Sequence, residues 1–256
     1  MKRIILFALI CSFFTLHTFA QDDLFGKGSK LPPRKGWVLG FNGDIDKPAA
    51  DMAKRFGTNY RVGVSVFYKT KSNWMFGPKV DFMLGNRIKE DSFMINLLDP
   101  YGQVLNQDGE RISPKVTELG YIVALQGGRI FNLSKKSSEN GILALTSIGF
   151  IQHKINIFNK NNDVPELRKD YKKGYDRLTN GLYIEQYLGY NYFSNSGIVN
   201  FHIGLDIGLG LTKDRRDYLF DVRRTDDKSR LDVLFGIRGG WYIPMFKRKS
   251  EEFYFE

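Results

Sequence analysis

The sequence predicts an all-β fold, an eight-stranded antiparallel transmembrane β-barrel with both termini periplasmic. Three observations carry that reading: long segments in which apolar residues alternate with small or polar ones, connections that alternate between short and long, and aromatic residues gathered at one end of the segments.

The alternation is clearest between Ile198 and Leu211. Val199, Phe201, Ile203, Leu205, Ile207, Leu209 and Leu211 take every second position, with Asn200, His202, Gly204, Asp206, Gly208 and Gly210 between them. A period of two sends these sets to opposite faces of one strand. A run of about 10 or more residues exceeds the usual strand and suits a tilted membrane-spanning one. The pattern recurs from Trp74 through Phe76, Val80, Phe82 and Leu84, and from Leu231 through Val233, Phe235, Ile237, Trp241 and Ile243. Weaker copies run through Trp37–Asp44, Tyr60–Lys69, Glu118–Phe131, Gly141–His153 and Leu182–Tyr192, which completes eight strands.

Connections Thr70–Asn73, Asn132–Asn140 and Ser194–Gly197 are compact, whereas Ile45–Gly57, Ile88–Pro114, Lys154–Asn180 and Lys213–Ser229 are long. Short periplasmic turns and long external loops give this rhythm. Trp37, Trp74 and Trp241, with Tyr68, Phe131 and Tyr192, fall at strand ends on the short-turn side, where an aromatic girdle is expected at the headgroup level.

The first twenty residues have the form of a secretory signal: Lys2 and Arg3, an apolar run from Ile4 to Phe14, and the small-residue exit ending at Ala20. The expected organisation is therefore a cleaved signal peptide (1–20), a periplasmic N-terminal segment (21–36), the barrel (37–246) and a periplasmic C-terminal tail (247–256). Cys11, the single cysteine, leaves with the leader, so neither disulfides nor thiolate chemistry is expected in the mature chain. Beyond the leader no apolar run reaches the roughly 18–20 residues of a membrane helix. The mature chain keeps 36 basic against 28 acidic residues, a net charge of +8 that suits anionic headgroups or polyanions.

The closing strand, Gly236-Ile237-Arg238-Gly239-Gly240-Trp241-Tyr242-Ile243-Pro244, resembles that of the small outer-membrane β-barrel families of Bacteroidota, and the Ala20-Gln21 junction is similar to that of their exported proteins. The resemblance covers the mature chain as a strand pattern, implies residence in the cell outer membrane and carries over no catalytic residue. Such families include accessory barrels of the type IX secretion system and adhesin- or resistance-like barrels. The tail Lys247–Glu256 departs from the pattern by continuing past the closing strand.

An eight-stranded barrel is just wide enough for its own side chains, so the lumen is expected to be filled. Its inward set contains Arg61, Lys79, Asp81, Glu118, Glu185, His202, Asp206, Asp232 and Arg238. Buried charges are costly unless paired, which makes a structural salt-bridge network the simplest reading and a proton or small-ion path the alternative. His153 ends a predicted strand on the external side, where lipid-A-modifying barrel enzymes keep a histidine, but no nucleophile motif surrounds it.

Among the loops, the arginines Arg215, Arg216, Arg223 and Arg224 around Tyr218 and Phe220 form the candidate external contact, since arginine forks suit phosphate or carboxylate. The function expected is thus a non-enzymatic integral outer-membrane barrel, structural or partner-binding through its external loops. An accessory role in a secretion or assembly machine and a lipid-A-modifying enzyme are the alternatives. Outer-membrane lipid, lipopolysaccharide and other envelope proteins are the expected partners; nucleic acid and cofactors are not expected.

Overall fold

The computed structural model describes residues 33–90, 93–135, 137–159, 163–194 and 198–246. The expected signal peptide (1–20), residues 21–32 and the tail 247–256 lie outside them. Eight long strands form the wall: β1 (Gly36–Ala50), β2 (Asn59–Lys69), β3 (Trp74–Gly85), β6 (Lys115–Asn132), β7 (Gly141–Phe158), β8 (Thr179–Phe193), β9 (Asn200–Asp214) and β10 (Ser229–Phe246). Two short strands, β4 (Val104–Leu105) and β5 (Arg111–Ile112), make a hairpin within the long β3–β6 connection. A single helical turn, α1 (Met52–Arg55), follows β1.

Each wall strand pairs antiparallel with its chain neighbours, and β1 pairs with β10 from Gly36↔Phe246 to Ala50↔Asp232, so the sheet closes on itself. Closure satisfies every strand edge, which a sheet facing hydrocarbon requires. With an even number of strands, both ends of the barrel lie on the same side as the three short turns.

Side chains sort by the pleat. Val64, Phe82, Leu125, Ile148, Leu188, Leu205 and Ile237 point outward and are exposed, while Arg61, Lys79, Asp81, Glu185, Asp206 and Arg238 point inward and are buried. This is the reverse of a water-soluble barrel.

Several strands run further than the alternation predicts. β1 continues through Ile45–Ala50 and β7 through Lys154–Phe158, segments the sequence reading assigns to loops. The cause is visible in β7. Ile148 and Phe150 face outward, but Gln152, Lys154 and Asn156 follow them on the same face, while Ile151, Ile155 and Ile157 turn inward. From Gln152 to Asn156 the outer face is polar, as in a soluble sheet, until Phe158 ends the strand with an exposed apolar residue. The strand persists; the apolar-outward signal that announces it does not.

Candidate functional site

The lumen is layered. Nearest the short turns, Val38, Phe67, Met75, Leu143, Tyr187, Phe193 and Tyr242 pack into one apolar cluster. At the loop end, inward residues of the strands, among them Met83, Ile122, Ile151 and Ile155, pack against Met52 and Phe56 around α1, Met94, Val104, Val164 and Leu167. Between these two layers lie the charges.

Arg61 and Arg238 occupy the centre. The Arg61 fork takes Asp46 with both arms, Nε to Oδ2 at 2.6 Å and Nη2 to Oδ1 at 2.8 Å; it also donates to Glu185 at 2.8 Å, to Asp44 at 3.3 Å and to Asp206. Arg238 takes Glu185 with its own fork and reaches Asp44 at 2.5 Å and Asp206 at 3.2 Å. Lys79 donates to Glu185 at 2.6 Å and lies 2.9 Å from Asp81. Tyr183 and Ser147 donate to the same Glu185 carboxylate. Charged groups sealed between apolar layers are retained where good geometry and extra hydrogen bonds offset desolvation, and bidentate arginine supplies both.

Two glycines make room. A Cβ at Gly236 would strike carboxylate oxygens of both Asp206 and Asp46, and one at Gly208 would strike the Tyr183 hydroxyl. These inward glycines leave the space that large side chains from neighbouring strands fill.

Of the sequence-selected lumen residues, the structure brings together Arg61, Lys79, Asp81, Glu185, Asp206 and Arg238. Glu118 lies apart and accepts from the Asn59 amide at 3.2 and 3.3 Å. Asp232 accepts from His153 Nε2 at 2.9 Å and from the Thr212 hydroxyl at 2.6 Å. His202 finds partners other than Asp206: its Nδ1 accepts from Tyr187 at 2.8 Å, its Nε2 donates to Asn42 at 3.1 Å, and its ring stacks on Tyr242. Sequence reasoning omits Asp44 and Asp46, although they alternate in phase on β1.

The three carboxylates Asp44, Asp46 and Asp206 offer oxygens within 4.8 Å of one another. The Arg61 guanidinium donates to all three, which accounts for their convergence without an ion. His153, Asp232 and Thr212 do not form a charge relay either. In such a relay the hydroxyl donates to the histidine, whereas here both groups donate to one carboxylate oxygen.

At the turn end, Trp37, Trp74, Phe131 and Trp241 are each about half exposed on the outer face. Tyr68 meets Trp37 edge-on at 5.3 Å, and Tyr192 stacks on Phe201 at 5.4 Å. Arg34 and Lys69 converge on Glu139 at 2.7 and 2.8 Å, and both lie over the Phe246 ring, adding a second closure beneath the lower apolar cluster.

At the loop end the four arginines do not form one outward cluster. Arg216 forks onto Asp176 at 2.7 and 2.5 Å, which raises its pKa above the ordinary arginine value, and Arg215 donates to Asn180 at 2.6 Å. Phe220 packs edge-on against Tyr175, and its amide bonds Gly174, so this segment ties the last loop to the β7–β8 connection. Tyr218, Arg223 and Arg224 remain exposed.

The fold and its interior thus define a closed eight-stranded barrel with an apolar exterior and a filled, charge-paired lumen. No protein-family model matches the sequence, and neither does any curated protein. Among solved structures the chain is similar to Neisserial surface protein A (TM-score 0.44, 6% identity, covering 81% of this chain and 96% of that one). It is also similar to Ail, the attachment invasion locus protein of Yersinia pestis (TM-score 0.40, 11% identity, 82% and 99% covered). A third is the outer membrane protein OprG of Pseudomonas aeruginosa (TM-score 0.35, 10% identity, 84% and 99% covered).

Proposed function

We propose that this chain is a non-enzymatic integral protein of the outer membrane, a closed barrel that serves as a structural element and presents its long loops to partners outside the cell. One observation carries the reading: an apolar outer face surrounds a lumen whose central charges, around Arg61 and Arg238, are paired and shut in by an apolar layer on each side. The outer face suits hydrocarbon, and the layers leave no continuous wet path for solutes. The long loops then face outward, and both ends of the barrel face the periplasm.

The test is direct. The protein should fractionate with outer membranes, migrate differently in unheated and boiled gel samples, and give no conductance above background in a planar bilayer. Recovery as a soluble periplasmic protein would overturn the membrane reading, and stable single-channel currents would overturn the closed lumen.

A further inference from the structure

A cleft of about 540 Å³ opens at the loop end, between α1, the start of the β3–β6 connection and the last loop. Its lining contains seven basic residues against three acidic ones. Four of the basic residues are already matched: Lys54 with Asp51 at 2.7 Å, Arg55 with Glu90 at 3.0 Å, Arg177 with Asp221 at 2.7 Å, and Arg230 with Asp226. The other three, Lys89, Arg224 and Lys228, make no ion pair among the described residues. Three uncompensated positive charges therefore share one cleft.

The lining has donor capacity as well as charge. Arg230 Nη1 is buried and has no hydrogen-bond partner among the described residues. A buried donor left open beside uncompensated cations calls for an acceptor. None of the residues lining the cleft is aromatic, so sugar or base stacking contributes nothing there.

We propose that this cleft is a binding site for a compact ligand bearing two or more phosphate groups, a proposal that rests on the reading that the loop end faces outward. The size and the charge together select the class. A cleft of a few hundred Å³ holds a small molecule or one headgroup. Each phosphate brings up to two charges and three acceptor oxygens, whereas an acidic peptide spreads single charges about 3.3 Å or more apart along its length. Clustered phosphates, on a lipid headgroup or on a soluble molecule, match three cations without ion pairs in so small a space.

The test uses the whole barrel in zwitterionic detergent, titrated calorimetrically with inorganic tripolyphosphate at low salt. The wild type should bind, and more weakly as salt screens the contact. The triple variant Lys89→Gln, Arg224→Gln, Lys228→Gln should bind about tenfold more weakly or worse. A control with the same charge change elsewhere, Lys71→Gln, Lys115→Gln, Lys135→Gln, should match the wild type. Equal binding by all three proteins, no binding by the wild type, or tighter binding of a hexaglutamate peptide than of tripolyphosphate would overturn the assignment. In nanodiscs, phosphatidic acid that weakens tripolyphosphate binding by the wild type but not by the triple variant identifies a lipid headgroup as the source; unchanged binding identifies a soluble phosphate compound. Heat-modifiable migration of each protein reports insertion separately, so a failed titration removes the cleft assignment and leaves the barrel reading standing.

Discussion

The Glu185 carboxylate sits in the fork of Arg238, with Nη1 2.8 Å from Oε1 and Nη2 2.9 Å from Oε2. The same two oxygens also accept from Lys79 and Arg61, so one anion on β8 joins cations from β2, β3 and β10. Such a group ties four strands of the wall together through the lumen.

Replacing that anion is therefore the sharpest stability test of the lumen. Glu185→Gln keeps the size of the side chain and leaves three buried cations without their shared carboxylate. Breaking a buried pair in this way costs about 3–5 kcal/mol. Urea unfolding from lipid vesicles should show the midpoint falling accordingly. An unchanged midpoint would mean that the network contributes little and that the apolar layers hold the barrel by themselves.

Two glycines on one strand separate crowding from backbone propensity. At Gly236 a methyl group would collide with Asp206 and Asp46, whereas at Gly239 the nearest atom to an added Cβ is the His202 carbonyl at 3.8 Å. Gly236→Ala should destabilise the barrel by about 1–3 kcal/mol, as overpacking does. Gly239→Ala should stay within about 0.5 kcal/mol of the wild type. If equilibrium unfolding finds the two variants alike, the inward glycines serve the backbone and not the lumen.

Outside the wall, Asp99 organises the turn between two loop segments. Its carboxylate accepts from the amides of Gln103 and Tyr101, each at 2.9 Å, and from Arg111 at 2.6 Å. The backbone bond from Gln103, followed by the one from Arg111, holds its pKa below the ordinary 3.8. A depressed carboxylate gives stability that is fully present above the ordinary value and is lost as pH falls through the folded one. Amide hydrogen exchange at Gln103 and Tyr101, corrected for intrinsic rates, should keep its protection through mild acid and lose it below that value. Protection that disappears already above pH 3.8 would place the control of this turn elsewhere.

The strands were legible because the pleat repeats every two residues, and Val199 to Leu211 shows that period without interruption. Legibility fails where the environment changes. From Gln152 to Asn156 on β7 and after Ile45 on β1 the outer face lacks large apolar residues, so the strand continues without the pattern that marks it. The lumen was legible as a set of inward charges but not as a network. The partners of Arg61 stand 15, 124 and 145 residues away, at Asp46, Glu185 and Asp206, and closure of the sheet is what brings them together. Similarly, the arginine cluster of the last loop reads as one surface in sequence. Asp176, 40 residues from Arg216, takes one member out of it.

The inversion on β7 makes a prediction about where the membrane ends. Ile148 faces outward and is 56% exposed, two positions before Phe150, while Asn156 faces the same side six positions beyond it. If hydrocarbon covers Ile148 and stops near Gln152, Ile148→Arg should cost about 2–4 kcal/mol and Asn156→Arg about 0–1 kcal/mol. The outward Leu205 of β9, 64% exposed, should behave like Ile148. Equilibrium unfolding of each variant from lipid vesicles measures the three costs on one scale. Equal costs at Ile148 and Asn156 would show that the change of side-chain polarity along β7 does not mark the edge of the bilayer. A tolerated arginine at both Ile148 and Leu205 would remove lipid from the outer face altogether.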